Sequence, residues 1–181
     1  MNLTVKNQVD KINEYGQKIK ELNDKIVSIE AAGIEKANDL KDERDFYLDE
    51  LSSMANITYS EDSWGYVNVK LEGVDFIKND MVYEIALEAD DDTGFYTPYW
   101  KQMANYTLDH VGNRVYHIEG AEVFDLLKPI ETELNTDIGG LKGVLLARGD
   151  HRGTFADLQD SNHVYEVGDV FPRKGLEVLE E

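Results

Sequence analysis

The 181 residues carry 18 basic and 37 acidic side chains, a net charge of -19, with 41% apolar and 10% aromatic residues and no cysteine. An acidic excess this large repels nucleic-acid backbones and anionic membranes, and the lack of cysteine excludes disulfides, thiolate metal sites and thiol nucleophiles. The apolar content suffices for one sizeable core or two small ones; no run approaches the roughly 20 apolar residues of a membrane span, and Met1-Asn2-Leu3-Thr4-Val5-Lys6 does not read as a signal peptide.

Val5, Val9, Ile12, Tyr15, Ile19, Leu22, Ile26 and Ile29 recur at spacings of three and four. This period predicts one long amphipathic helix over residues 5–30, its narrow stripe satisfied by one or two partner helices. Gly16 reads as a weak point costing about 1 kcal/mol relative to Ala, and Gly33 as a natural stop. A second helix begins near Ile34 or Asn38, with Leu40, Arg44, Tyr47, Leu51 and Met54 on one face and Asp39, Asp42, Glu43, Asp45 and Asp49 largely off it. Asn38 or Asp39 is expected to cap it, and the acidic first turn suits the helix dipole. A hairpin at Ala31-Ala32-Gly33 and a kinked continuation both fit the pattern.

At Ile57 the period changes to two. Ile57 and Tyr59, then Val67, Val69 and Leu71, alternate with polar residues, predicting a hairpin around Glu61-Asp62-Ser63-Trp64-Gly65. Val74 to Ile77 and Met81 to Leu87 form a second pair across Lys78-Asn79-Asp80, where Asn and Asp tolerate the left-handed conformation. Short strands follow near Tyr106 to Leu108 and Val115 to Ile118. Asp90 to Gly94 reads as a loop, Thr97-Pro98-Tyr99-Trp100 as the start of a short helix with Pro98 at its first position, and Asp137 to Arg148 as a helix capped by Asp137 with Ile138, Leu141, Val144 and Leu145 on its apolar side. His163 to Pro172 reads as a β-arch, and Leu176 to Glu181 as the beginning of an element that stops, as though truncated.

Four to six short strands with helices on either side give an α+β fold: long amphipathic N-terminal helices packed with a return helix, plus a β-rich domain of short antiparallel strands. The expected organisation is a helical stalk over 1–56, a β-rich outer domain over 57–134, a return helix of the stalk over 135–154 and a divergent β-arch tail over 155–181. The packing residues expected to hold the assembly are Ile12, Ile19, Leu22, Ile26, Leu40, Tyr47, Leu51, Leu141 and Leu145.

Motifs for chemistry are weak. His110, His117, His151 and His163 fall on separate elements without ligand spacing. Asp90, Asp91 and Asp92, with Glu88, offer oxygen ligands that calcium would take, but without the spacing of a calcium loop they read as a solvated acidic turn. Gly139-Gly140-Leu141-Lys142-Gly143 lacks phosphate-loop spacing, and its glycines suit close helix packing. No serine sits in a nucleophile elbow. The aromatics Trp64, Tyr66, Phe95, Tyr96, Tyr99, Trp100 and Tyr106 read as the core of a small domain, with a glycan or protein contact as the alternative. No catalytic residue and no cofactor is expected.

Lys36-Ala37-Asn38-Asp39-Leu40-Lys41-Asp42-Glu43-Arg44-Asp45 and Phe46-Tyr47-Leu48-Asp49-Glu50-Leu51-Ser52 resemble a helix of the first flagellar hook-associated protein family, in which Asn-Asp-Leu, Asp-x-Arg-Asp and Leu-x-x-Glu-Leu succeed one another. Gln8-Val9-Asp10-Lys11-Ile12-Asn13 is similar to the family's preceding helix, Ile57 to Asp62 and Tyr66 to Val69 to its first hairpin, and Asn135 to Arg148 to the segment where its chain returns to the stalk. The resemblance spans residues 5–88 and 123–150 and marks the chain as an internal fragment. It implies a non-catalytic structural subunit of the bacterial flagellum at the hook-filament junction, exported by the flagellar type III apparatus to the cell exterior. The implied partners are like subunits in a ring, the hook protein and the second junction protein, with no nucleic acid and no membrane. Residues 155–181 depart from the family and are more similar to a short phage structural module. The rival readings are therefore a phage virion or tail protein, and a calcium- or glycan-binding surface module built on residues 88–106.

Overall fold

The computed structural model describes residues 1–31, 33, 37–91, 93–126 and 139–149. The β-arch and the tail expected over 155–181 lie outside the described residues, as do Asp92, Asp137, Ile138, His151 and His163.

The apolar stripe becomes helix α1, Asn2–Ala31, with Val5, Val9, Ile12, Tyr15, Ile19, Leu22 and Ile26 buried. Ile29 is the exception, exposed where the chain turns away at Gly33 (φ 67°). Helix α2, Asn38–Met54, folds back along α1 as a hairpin. The two are tied by a Lys41–Glu30 ion pair at 2.8 Å, by the Tyr15 and Tyr47 rings 5.4 Å apart, and by the Tyr15 hydroxyl donating to the Glu50 carboxylate at 3.2 Å. The cap position of α2 is Ala37, which offers no side-chain hydrogen bond, so neither Asn38 nor Asp39 caps it; both already belong to the helix.

The alternating segments form a four-stranded antiparallel meander of β1 (Ile57–Glu61), β2 (Val67–Leu71), β3 (Val74–Lys78) and β4 (Met81–Val82). Leu71 pairs with Val74 across a two-residue turn in which Glu72 (φ 50°) and Gly73 (φ 83°) are both left-handed, the geometry that matches strand twist. The strand expected over Met81 to Leu87 divides in two. β4 ends at Val82, and β5 (Ile85–Ala89) leaves the meander to pair with β6 (Tyr96–Trp100).

β6 replaces the short helix expected at Pro98. Thr, Tyr and Trp fit a half-buried pleated surface, and Tyr99 and Trp100 are buried in it. Proline is tolerated because its carbonyl points away from β5, accepting from Val123 N–H at 3.0 Å; its missing N–H would have faced the same outer side. β7 (Asn105–Leu108) and β8 (Arg114–His117) form a separate hairpin, bringing the described strands to eight. Helix α3 runs from Gly140 to Arg148, later than expected, because Gly139 enters with φ 68° and its backbone lies against Met54 and Ala55.

The main core takes Val5, Val9, Ile12, Tyr15 and Ile19 from α1, Leu48, Leu51 and Met54 from α2, Leu141 and Leu145 from α3, and Val69, Leu71, Phe76, Ile77, Ile85 and Trp100 from the strands. Helices and strands thus bury against one another in a mixed α+β fold. Among the described residues, no helix is long and apolar enough to cross a membrane.

Gly16 sits at the closest approach of α1 to the sheet: a Cβ there would lie 2.6 Å from Phe76 Cζ and 3.1 Å from Val82 Cγ1. Helix propensity alone favours Gly16→Ala by about 1 kcal/mol. Phe76 is fully buried and has nowhere to move, so overpacking outweighs propensity. Urea denaturation of Gly16→Ala is expected to show a net loss of roughly 1–2 kcal/mol; a gain would mean that the sheet can yield at this point.

Candidate functional site

The packing residues singled out in the sequence lie inside the chain. Ile12, Ile19, Leu51, Leu141 and Leu145 share the main core, while Leu22 and Ile26 form a smaller cluster with Ala37, against which the half-buried Leu40 and Tyr47 pack. They meet one another within the chain.

The strands are positioned by a set of asparagines on α1 that sequence reading passes over as polar spacers. Asn13 donates to the Ile85 carbonyl at 2.8 Å and accepts from the Ile85 N–H at 3.0 Å. Asn23, fully buried, does the same with Val67, at 2.9 and 3.1 Å. Asn2 donates to Gly94 O at 2.7 Å and accepts from Tyr96 N–H at 2.8 Å. A side-chain amide has the donor and acceptor of a peptide group, so each asparagine acts as one residue of a neighbouring strand. Three strands are thereby hydrogen-bonded to a helix.

An arginine backs two of these clamps. Arg44 of α2, 3% exposed, donates to Asn23 Oδ1 at 3.0 Å and Gly65 O at 3.3 Å, and pairs with Glu61 at 3.4 Å. Arg148 of α3 donates to Tyr96 O at 2.7 Å and Asn2 Oδ1 at 3.4 Å, and lies over the Phe95 ring at 4.7 Å. The clamps therefore join all three helices to the strands.

Two of the hairpin turns share a further pattern, Asp-x-x-Gly-x. In Asp62–Tyr66 the Asp62 carboxylate accepts from the N–H groups of Trp64 and Tyr66, and in Asp109–Asn113 the Asp109 carboxylate accepts from those of Val111 and Asn113. Both close with a glycine at positive φ, Gly65 and Gly112. Asp90 is used in a similar way, accepting from the backbone N–H and the hydroxyl of Thr93. Among the described residues, no group of three His, Cys, Asp or Glu could hold a metal ion. His110 is exposed, and His117 pairs with the Thr107 hydroxyl at 3.0 Å.

The β7–β8 hairpin hangs from the body on an aromatic ladder. Tyr99 lies 5.9 Å from Tyr116, Tyr116 lies 6.0 Å from Tyr106, and Arg114 covers Tyr106 at 4.6 Å. Burial pushes the Tyr99 hydroxyl above its ordinary pKa.

A family model described as the flagellar hook-associated protein FlgK helical domain matches residues 1–113. Among solved structures, the flagellar hook junction protein FlgK from Burkholderia pseudomallei is similar over 79% of this chain at 23% identity, with a TM-score of 0.54. The match covers 22% of that protein, so this chain spans a minor part of its length. No curated protein matches.

Asn23→Ala leaves both Val67 backbone groups and one Arg44 donor unpaired in the interior, and is expected to cost roughly 2–4 kcal/mol. A double-mutant cycle with Arg44→Met checks that the two side chains act as one network: their losses should fall clearly short of additive, and additive losses would separate them. At Asp109, the backbone N–H of Asn113, then its side-chain amide and the Val111 N–H, hold the carboxyl below its ordinary pKa. A depressed folded-state pKa stabilises above the unfolded value and is lost as pH falls through the folded one. Acidification below the ordinary carboxylate range should loosen the β7–β8 turn before the core, seen as early NMR shifts at Val111 and Asn113; Asp109→Asn should abolish this step.

Proposed function

Because this chain belongs to the family of the flagellar hook-associated protein FlgK helical domain, we propose that it is a structural, non-catalytic subunit of the bacterial flagellum that joins hook to filament. The observation that carries this reading is the family match over residues 1–113, which takes in both long helices, the meander and the β5–β6 pair. The similar solved structure is that of a hook junction protein, which supports the junction as the site of action.

In this reading the chain works outside the cell, exported by the flagellar type III apparatus. It meets like subunits in a ring, the hook protein and the second junction protein. Residues 1–56 and 135–154 serve as the stalk and 57–134 as the outer part. Ile12, Ile19, Leu22, Ile26, Leu40, Tyr47, Leu51, Leu141 and Leu145 act by fixing the helices within one subunit, and the amide clamps keep the β-rich part in a constant position on that stalk. A subunit that transmits rotation needs such stiffness more than it needs a reactive group.

Deleting the gene from its motile host is expected to abolish swimming and leave hooks without filaments in electron micrographs, with filament subunits lost to the medium. Reintroducing the gene should restore filaments. Filaments still seated on hooks in the deletion strain would overturn the junction role.

A further inference from the structure

The meander ends in an open strand. β1 is its terminal strand, and the register with β2 runs unbroken from Ile57 opposite Leu71 to Glu61 opposite Val67. The bonds at either end fix which way its peptide groups face: Asp62 N–H donates to Tyr66 O at 2.9 Å, and Glu72 N–H to Asn56 O at 2.9 Å. Hydrogen-bonded and non-bonded positions alternate in an antiparallel pair, so Thr58 and Ser60 bond to β2 while Ile57, Tyr59 and Glu61 turn their N–H and C=O groups outward. No described residue is hydrogen-bonded to those outward groups.

Several other edges of the fold are closed. The amide clamps take up backbone groups of Val67, Ile85 and Tyr96, Val123 N–H donates to Pro98 O on the outer side of β6, and β4 is only two residues long. β1 has five residues and no such cover among the described residues. It also lacks the devices that discourage strand addition, for it holds no proline, no lysine and no bulge. Thr58 to Glu61 are all exposed, Tyr59 by 60%. An edge of this kind is a surface to which an extended peptide adds as a further strand.

The face beside that edge sets the chemistry of the partner. Val67, Val69 and Leu71 turn into the core, so the residues between them face away from the helices. There Thr58 lies opposite Lys70 and Lys70 opposite Asp75, while Ser60 lies opposite Asn68. Ile77 faces Val69, which brings Lys78 beside Asn68 in the same row. These six side chains line a cleft of about 630 Å³. Two ammonium groups stand in it against one carboxylate, Asp75 being 2.6 Å from Lys78 and 3.9 Å from Lys70. The cleft is thus net positive in a chain whose total charge is -19. The Asn68 carbonyl oxygen already accepts from Asn79 N–H at 2.6 Å, so that amide has donors left to offer. Glu61, the one charged residue of β1, belongs to the opposite face, where it pairs with Arg44.

We propose that an extended, acidic segment of another protein chain adds to β1 as an antiparallel fifth strand of the meander. Its main chain exchanges hydrogen bonds with Ile57, Tyr59 and Glu61. Carboxylates on alternate residues stand beside Thr58 and Ser60, within the combined reach of the Lys70 and Lys78 side chains. The residue opposite Tyr59 is apolar and meets the exposed ring as a cross-strand pair. Acidic and apolar residues in alternation are therefore the mark of the partner. Strand addition does not depend on the flagellar role, which the deletion strain judges separately.

The probe is the peptide acetyl-Thr-Val-Glu-Val-Glu-Val-Thr-amide, titrated into labelled protein at low salt and followed by amide NMR and hydrogen exchange. In the protein alone, the N–H groups of Tyr59 and Glu61 should exchange far faster than those of Thr58 and Ser60. A dissociation constant on the order of 1 mM is expected for so short a strand. With free peptide at about three times that value, exchange at Tyr59 and Glu61 should slow roughly fourfold. A peptide N-methylated at its central valine loses the donor to Tyr59 O and should not bind. Tyr59→Pro should also abolish binding, since its missing N–H faces outward, where an edge strand tolerates proline. Lys70→Gln/Lys78→Gln, and a peptide with lysine in place of glutamate, should each weaken binding several-fold. An unchanged indole signal from buried Trp100 shows that the variants are folded. Slow exchange at Tyr59 and Glu61 before peptide is added, no protection up to roughly 10 mM peptide, or equal binding by the N-methylated or lysine peptide overturns the proposal. Protection that grows with protein concentration alone overturns the acidic partner in favour of a second β1.

Discussion

The architecture depends on how the edges of β-strands are hydrogen-bonded to a helix. A helix has no free backbone groups along its flank, and strands packed on it bury polar edges that need partners. Asn13 and Asn23 solve this by presenting a peptide-like amide to the backbone of Ile85 and Val67. The apolar seam of α1 supplies most of the buried area, but hydrophobic contact is not directional. The amides fix which strand residue sits at which turn of the helix. Arg44 and Arg148 extend the same logic to the other two helices.

Burying a guanidinium needs compensation, because a charge taken from water without partners costs several kcal/mol. Arg44 has an amide oxygen, a backbone carbonyl and the Glu61 carboxylate, the last of these half in solvent, while its Nε has no hydrogen-bond partner. The network is thus adequate without being saturated. Its value lies in specificity: an apolar residue at position 44 could fill the volume, but it could not hold the Gly65 carbonyl and with it the orientation of the turn that exposes Trp64.

Much of this fold was legible in the sequence, for reasons that differ by element. The three-and-four spacing from Val5 to Ile26 specifies a buried helical face, and the alternation over Ile57–Leu71 specifies a strand pair, because those periods are geometric consequences of the backbone. Pro98 misled because its preference for a first helical turn is a local rule, overridden by the burial of Tyr99 and Trp100 beside Val123 and Ala121. The hairpin of α1 and α2 could not be read, since Tyr15 meets Tyr47 only through space. Gly16 looked like a defect, and the reason for it sits 60 residues away in Phe76. The clamps were least legible: an asparagine between apolar residues has the same composition whether it faces water or a strand. The Asp-x-x-Gly-x turns were only partly legible: the same spacing also occurs at residues 91–95, 137–141 and 150–154, so the pattern alone does not single out the turns at Asp62 and Asp109.

The clamps span 94, 72 and 44 residues of sequence at Asn2, Asn13 and Asn23, and Arg148 reaches Asn2 across 146. None of these bonds can form while only the first helix has emerged from the ribosome; α2 can pair with the apolar seam of that helix early, but the core is completed only after the strands and α3 have followed. Contacts of such long range bring a high loop-closure cost before any stabilisation is returned, so the fold is acquired late and slowly. A chain arranged in this way can pair neighbouring elements early but commits to its full shape only near the end, which leaves an interval before it becomes a rigid body.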